Sequence, residues 1–338
     1  MRAWFECELC QRYTATGTPT IDDGMACDRC ADLRYWRCSD CRLLARSVRH
    51  VDNGEQVCVD CEDDYRECAE CDHLTSGGTY CSHCAVDDHD DRVFDHSYKP
   101  DPVFHGAGPV YLGLELELKT SGHALEDCVD AAVSQLRGLG YLKEDGSIGY
   151  GNGFELVTHP MSYDWALEHF PWTVLREMRS RGAYIDDGVG IHVHVSREGF
   201  TSPAHVYRWM KFIYRNESWA TRLARRSSDE WASFDPDMRA EIAHFAKGDR
   251  LGYGRYHAIN VCPRDTLEVR IFASSLDPQQ VQAALAFVAA SVEYTRTLTS
   301  GDVASRRGWE WTAFVTWVRR HPIYLPLLAE MEALQCAS

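Results

Sequence analysis

The chain has 338 residues, of which 45% are hydrophobic and 25% are charged, and its formal net charge is −16. This composition is typical of a globular protein and excludes wholesale disorder, and the negative charge argues against a partner such as duplex nucleic acid, which needs a basic surface stripe. The sequence shows no apolar run of the roughly 18 residues that span a membrane and no apolar signal stretch near its N-terminus, so we expect a cytoplasmic protein without a membrane partner.

Twelve of the 15 cysteines lie in the first quarter of the chain and form six CxxC units. The units make a threefold repeat, in which each copy has an aromatic lead-in, a CxxC, a glycine-containing turn and a second CxxC. Two such knuckles supply four thiolates for a closed, structural zinc site, and the alternative, a disulfide framework, is disfavoured without a signal peptide. The predicted zinc ligands are Cys7, Cys10, Cys27 and Cys30; Cys38, Cys41, Cys58 and Cys61; and Cys68, Cys71, Cys81 and Cys84.

Residues 1–98 are therefore expected to be three tandem zinc-binding modules of the ribbon type, holding about three Zn²⁺ ions in all. The modules are acidic, which favours a protein partner, or the presentation of a protein or peptide substrate, over nucleic acid. Residues 99–109, punctuated by proline and glycine, are predicted to be a linker.

Residues 110–338 mix short strands with amphipathic helices and lack a regular βαβ order, which predicts an α+β domain with a largely antiparallel sheet and flanking helices. The predicted strands are VYLGLELEL, GFELVT, GIHVHVS, YHAINV and TLEVRIFA. The predicted helices cover about 123–138, 163–181, 203–226, 235–247, 278–298 and 308–334, the last interrupted by Pro322.

Four of these strands alternate aliphatic side chains with charged groups or imidazoles. In YLGLELEL the leucines share one face and Glu115 and Glu117 the other; in TLEVRIF, Leu267, Val269 and Ile271 oppose Glu268 and Arg270. An ordinary solvent-exposed strand face carries lysine, threonine, serine and glutamine. These faces instead carry Glu115, Glu117, Glu155, His192, His194, Glu268 and Arg270. Several carboxylates with imidazoles are the ligand set of a Mg²⁺ or Mn²⁺ site, and arginine suits phosphate.

Four segments in the order GLELEL, DGSIGYGNGFELVTHP, GIHVHVS and RYHAIN…TLEVRIFASSLDP resemble the amidoligase branch of the glutamine synthetase superfamily, which is also similar to glutamate–cysteine ligases. The resemblance covers about residues 110–298 and implies a glutamine-synthetase-like domain that uses ATP. It implies Mg²⁺ or Mn²⁺ ligands at Glu115, Glu117, Glu155, His192 and Glu268, with Asp145 assisting; nucleotide contacts from His194 and Asn260; a phosphoryl clamp at Arg270; and substrate or phosphate contact from Arg255. Glutamine synthetases space two further metal glutamates closely, whereas here Glu155 has Asp145 ten residues earlier.

The activity that the resemblance implies is ATP-dependent joining of a carboxylate to an amine through an acyl phosphate, giving an amide, ADP and phosphate. Metal ions on Glu115 and Glu117, with Arg255 and Arg270, would offset the repulsion between the anions that react. Three alternatives stay open: a phosphotransferase of the guanidino-kinase type, a metal-dependent hydrolase built on His192 and His194, and a zinc-ribbon adaptor without activity.

Overall fold

The computed structural model describes residues 4–52, 54–69, 71, 73–75, 81, 90–121, 124–146, 148, 152–227, 232–246, 256–305 and 307–337. The chain divides into two compact units, Met1–Asp88 and His89–Ser338. This division falls before the predicted module end at residue 98, because the strand Val93–Phe94 pairs with the large sheet of the second unit.

The N-terminal unit is a chain of short antiparallel hairpins, each pairing consecutive strands. Its small apolar clusters bury cysteines together with Val51, Val57 and Leu74, and clusters of this size need a further source of stability such as a bound metal. The elements are β1 (Phe5–Glu6), β2 (Tyr13–Thr14), β3 (Gly17–Pro19), β4 (Met25–Cys27), α1 (Asp28–Arg34), β5 (Trp36–Arg37), β6 (Leu44–Ala45), β7 (Arg49–His50), β8 (Gln56–Val57), β9 (Arg66–Glu67) and β10 (Leu74–Thr75).

The second unit is α+β and is built on one eight-stranded sheet. Its strands are β11 (Val93–Phe94), β12 (Leu112–Thr120), β13 (Gly140–Lys143), β14 (Gly153–Thr158), β15 (Ala183–Tyr184), β16 (Gly190–Ser196), β17 (Ile259–Asn260) and β18 (Thr266–Ala273). They lie in the order β11-β13-β14-β12-β16-β18-β17, with β15 also beside β12. The pairings from β13 to β17 are antiparallel, as predicted, whereas β11 runs parallel to β13.

Helices cover the aliphatic face of this sheet. They are α2 (Leu125–Leu136), α3 (Tyr163–His169), α4 (Thr173–Ser180), α5 (Pro203–Arg215), α6 (Glu217–Ala224), α7 (Pro236–Ala246), α8 (Pro278–Thr297), α9 (Ser300–Ala304), α10 (Trp311–Arg319) and α11 (Leu325–Ala333). Two predicted helices are each split: Pro171 separates α3 from α4, and the Asn216 amide donates to the Phe212 carbonyl where α5 ends. Among the described residues, none of the helices combines the length and the hydropathy that a bilayer crossing requires.

The alternation of β12 determines which face is covered. Leu112, Leu114, Leu116 and Leu118 are all fully buried and belong to one core cluster with the apolar residues of α8. Because side chains alternate along a strand, Glu115 and Glu117 must lie on the reverse face. The core thus fixes the orientation of the polar face.

The buried His205 on α5 predicts a pH dependence of stability. Its Nε2 lies 2.9 Å from the Val292 carbonyl, its Nδ1 accepts from the Thr201 N–H, and burial lowers its pKa from 6.5 to about 4. The unfolded chain therefore binds one more proton between these values, and we expect this group to remove about 3 kcal/mol of stability as pH falls from 6.5 to 4. Denaturant unfolding across this pH range measures the effect. In His205→Gln the slope of unfolding free energy against pH should correspond to one fewer proton taken up on unfolding. In the control His169→Gln the slope should equal that of the wild type.

Candidate active site

Strand register brings the predicted polar side chains together on one face of the sheet, because residues directly opposite each other in a pair share a face. The paired positions form three rows across the strands. They are Lys143–Glu155–Glu117, Glu115–His192, and His194–Glu268–Asn260. Glu117, Glu155, His192, Glu268 and Asn260 are at most 6% exposed, so this is a recess and not an ordinary wet surface.

A bulge in β18 lies beside the rows. Val193 pairs with Val269 and Ile191 pairs with Phe272, so His192 is opposed by two residues, Arg270 and Ile271. The bulge shifts the predicted alternation, since Phe272 and not Ile271 pairs with the core residue Ile191. Bulges often re-aim a side chain next to an active site, and here the Arg270 guanidinium donates to Glu268.

The two imidazoles lie among the carboxylates. His192 Nδ1 is 3.4 Å from Glu115 Oε2 and 3.5 Å from Glu268 Oε1, and its Nε2 is 3.7 Å from Glu117 Oε1. His194 Nε2 is 3.2 Å from Glu115 Oε1. The octahedral shell of Mg²⁺, with ligands at about 2.1 Å, has cis ligand atoms roughly 3 Å apart, so small shifts would fit these donors around a cation.

Hydrogen bonds orient the acidic groups. Asn260 Nδ2 donates to Glu268 Oε2 over 2.6 Å, and the Gly190 N–H donates to Glu117 Oε2 over 2.6 Å. Such partners fix the direction in which a ligating carboxylate points. The structure therefore places Asn260 behind Glu268, and the nucleotide contact that the resemblance implies for it stays a prediction.

The carboxylates of the cleft fall into two groups according to the direction in which the pKa is shifted. Burial raises the pKa of Glu115, but the charge of His194 and a hydrogen bond from His192 outweigh it and hold that pKa well below its usual range. Burial and the nearby Glu115 charge raise the pKa of Glu155 well above its usual range, although Lys143 opposes them. Burial also raises the pKa of Glu117. An acidic cluster of this kind is stabilised by cations, which is the ordinary role of a bound metal.

A cleft of about 310 Å³ opens over this face. Its lining holds acidic, basic and imidazole side chains together, which suits a ligand carrying phosphate and metal ions. The lining residues are Glu115, Glu117, Lys143, Asp145, Gly146, Glu155, Gly188, His192, Arg226, Tyr256 and Arg270. Asp145 thus lines the same cleft as Glu155, whereas Arg255 lies outside the described residues.

Two basic residues of the cleft were missed from the sequence. Lys143 Nζ is 2.9 Å from Glu155 Oε2, and β13 is too short for its alternation to be recognised. Arg226 follows α6 in a loop, where no periodicity marks it. It reaches the cleft over Gly190, where an added Cβ would lie 2.2 Å from its Nη1. The glycine at position 190 is therefore the sequence feature that could have indicated a close approach of another side chain at this point.

The cysteine clusters of the N-terminal unit have the geometry of zinc sites. Cys7, Cys10, Cys27 and Cys30 form one cluster, Cys38, Cys41, Cys58 and Cys61 the second, and Cys68, Cys71 and Cys81 the third; Cys84 lies outside the described residues. The Sγ atoms of Cys10 and Cys27, and of Cys41 and Cys58, are 3.8 Å apart. A zinc tetrahedron with Zn–S near 2.3 Å has edges of about 3.8 Å, so these clusters can hold zinc.

The same contact between a backbone N–H and a cysteine sulfur occurs in each of the three clusters. The N–H of Cys27 lies 3.3 Å from Cys7 Sγ, that of Cys58 3.4 Å from Cys38 Sγ, and that of Cys81 3.3 Å from Cys68 Sγ. Burial raises the pKa of Cys7, but backbone hydrogen bonds from Cys10, Cys27 and Leu9 outweigh it and lower that pKa to about 6. The fold thus favours a thiolate at this position, which is the form that ligates zinc.

Comparison with known proteins supports a ligase-type domain. Residues 119–247 match the family model described as "Putative amidoligase enzyme". The match contains Asp145, Glu155, His192 and His194. Glu115 and Glu117 lie on β12, which pairs with β14 of the matched segment, and Glu268 lies on β18, which pairs with β16. Among curated proteins, a search found no match.

Proposed function

We propose that the second unit is an ATP-dependent carboxylate–amine ligase that works through an acyl phosphate. The observation that carries the proposal is the convergence of carboxylates and imidazoles from three adjacent strands. Glu115, Glu117 and Glu268 each have an oxygen 3.4–3.7 Å from a ring nitrogen of His192, and Glu115 has one 3.2 Å from a ring nitrogen of His194. The amidoligase match over residues 119–247 supports the reaction class.

The chain's own residues fit the roles that this reaction needs. Glu115, His192 and Glu268 would hold one Mg²⁺ or Mn²⁺, and Glu117 and Glu155 another, with Asp145 nearby. Bound ions supply the charge that lets a carboxylate approach the γ-phosphate. Arg270, held by Glu268, would stabilise the charge on the transferred phosphoryl oxygens.

The substrates are a carboxylate and an amine. Lys143 and Arg226 add positive charge to the cleft wall, which suits an anionic acid. We further propose that the acidic N-terminal unit presents a protein or peptide acceptor; full activity after deletion of residues 1–88 would contradict that role.

An isotope experiment tests the reaction. A panel of ¹⁸O-labelled carboxylates is incubated with ATP, Mg²⁺ and hydroxylamine as the general amine, and phosphate and hydroxamate are analysed by mass spectrometry. Because the acid's oxygen attacks the γ-phosphorus and leaves with it, one ¹⁸O is expected in the released phosphate, together with a hydroxamate. A phosphorylated product without free phosphate would favour the phosphotransferase, and turnover without ATP the hydrolase; either outcome contradicts the proposal.

A further inference from the structure

Three aromatic rings lie on the same face of the sheet as the acidic residues. Tyr141 pairs with Val157, which pairs with Glu115, so the tyrosine belongs to the row that also contains His192. Phe94 pairs with Lys143 on the edge strand β11 and faces the same way. With strands about 4.8 Å apart, Tyr141 lies roughly 10 Å across the sheet from Glu115.

The rings form a shelf, which we define as Phe94, Tyr98 and Tyr141. The rings of Phe94 and Tyr98 are stacked with centroids 3.9 Å apart and an angle of 13° between their planes. Tyr141 supports Tyr98 edge-on at 5.3 Å. Phe94 is 37% and Tyr98 36% exposed, so ring surface remains open for another planar group.

Charge connects the shelf with the acidic cluster. Lys99 directly follows Tyr98, and its ammonium is among the charges that act on His194, the imidazole 3.2 Å from Glu115. A ligand that stacked on the shelf would therefore have the charge of a lysine nearby and the acidic residues on the same face of the sheet. An aromatic surface suits the base of a nucleotide, a cation suits its phosphates, and an acidic cluster suits the metal ion that accompanies them.

We infer that the shelf binds the base of a nucleoside triphosphate by stacking, with the phosphates extending along the sheet to Glu115. The inference rests on the proposed function and adds a base-binding subsite to it. Stacking is tolerant of base identity, because every base has a π-face. The shelf thus contributes affinity for the base and leaves the choice of base to other contacts.

Calorimetry with two ligands tests the inference. The first is a non-hydrolysable ATP analogue and the second is tripolyphosphate, which lacks a base, each with Mg²⁺ and the full chain. We expect Tyr98→Ala and Phe94→Leu each to weaken binding of the analogue by about tenfold and to leave tripolyphosphate binding unchanged, since one stacked base contributes about that much. Tyr184→Ala, which removes an exposed ring opposite Lys119, is the matched control and should bind both ligands normally.

Four results would overturn the shelf. Unchanged analogue binding in both variants, or equal weakening of both ligands, would show that the rings do not recognise a base. Equal affinity of the wild-type chain for the two ligands would also show that the rings do not recognise a base, and it would leave the proposed function intact. Binding of neither ligand would remove the proposed function itself, and the shelf with it.

Discussion

Glu115→Gln is expected to weaken Mg²⁺-dependent binding of a non-hydrolysable ATP analogue by roughly 100-fold or more, because loss of even a residue behind a metal ligand costs 10- to 100-fold in metal affinity. Glu115 is the carboxylate that both imidazoles approach, His192 at 3.4 Å and His194 at 3.2 Å. The substitution is isosteric and removes one charge from the centre of the cluster. Calorimetry with and without Mg²⁺ measures the effect.

The matched control is Glu126→Gln, which removes an exposed carboxylate from α2. It should bind the analogue as the wild type does, and circular dichroism should show that both variants are folded. His192→Ala, which removes the ring that approaches three carboxylates, should give a loss similar to that of Glu115→Gln. Wild-type affinity in a folded Glu115→Gln chain would show that this face does not hold the metal.

Removal of zinc is expected to unfold the N-terminal unit. Its strands have two or three residues each, and Cys38 and Cys58 are themselves part of one of its apolar clusters. Structural zinc contributes on the order of 10 kcal/mol to folding of small zinc domains, which exceeds the stability of such clusters. Chelator titration of the full chain, followed by metal analysis and limited proteolysis, should release about three zinc ions as residues 1–88 become protease-sensitive.

Single substitutions separate zinc loss from general damage. Cys38→Ser should lower the zinc content by one ion and expose the module around it, whereas Cys262→Ser, at an exposed position of the second unit, should keep all the zinc. Disulfide-bonded cysteines, found by mass spectrometry of the chain purified without reductant, would contradict the zinc prediction.

The face of each strand is predictable from the sequence because the side-chain period is two. The alternation of Leu114, Glu115, Leu116 and Glu117 places the carboxylates opposite the core without any knowledge of neighbouring strands. The structure then brings Glu155, His192, His194 and Glu268 to the same face, as the alternation in each strand predicted. A slip of one residue would move the buried leucines to the polar face, so burial of the leucines fixes which face carries the carboxylates.

The contacts between strands are not predictable in the same way, because they depend on pairing partners far along the chain. The approach of His194 to Glu115 follows from the register of β12 with β16, and the Lys143–Glu155 pair from that of β13 with β14. Residues 90–109, predicted as zinc module and linker, contain the edge strand β11 because one short apolar pair, Val93–Phe94, gives no periodic signal. Arg226 comes from a loop, where pattern methods have no information.

The most direct test of the site is to locate a metal ion. Crystals of the full chain grown with Mn²⁺ and ADP would show manganese by its anomalous scattering, independently of any assay of turnover. We expect one of the two proposed ions at about 2.1 Å from donor atoms of Glu115, His192 and Glu268, with the phosphates of ADP beside it. Manganese absent from this face, with ADP bound elsewhere, would contradict the assignment of the cleft as the site of phosphoryl transfer.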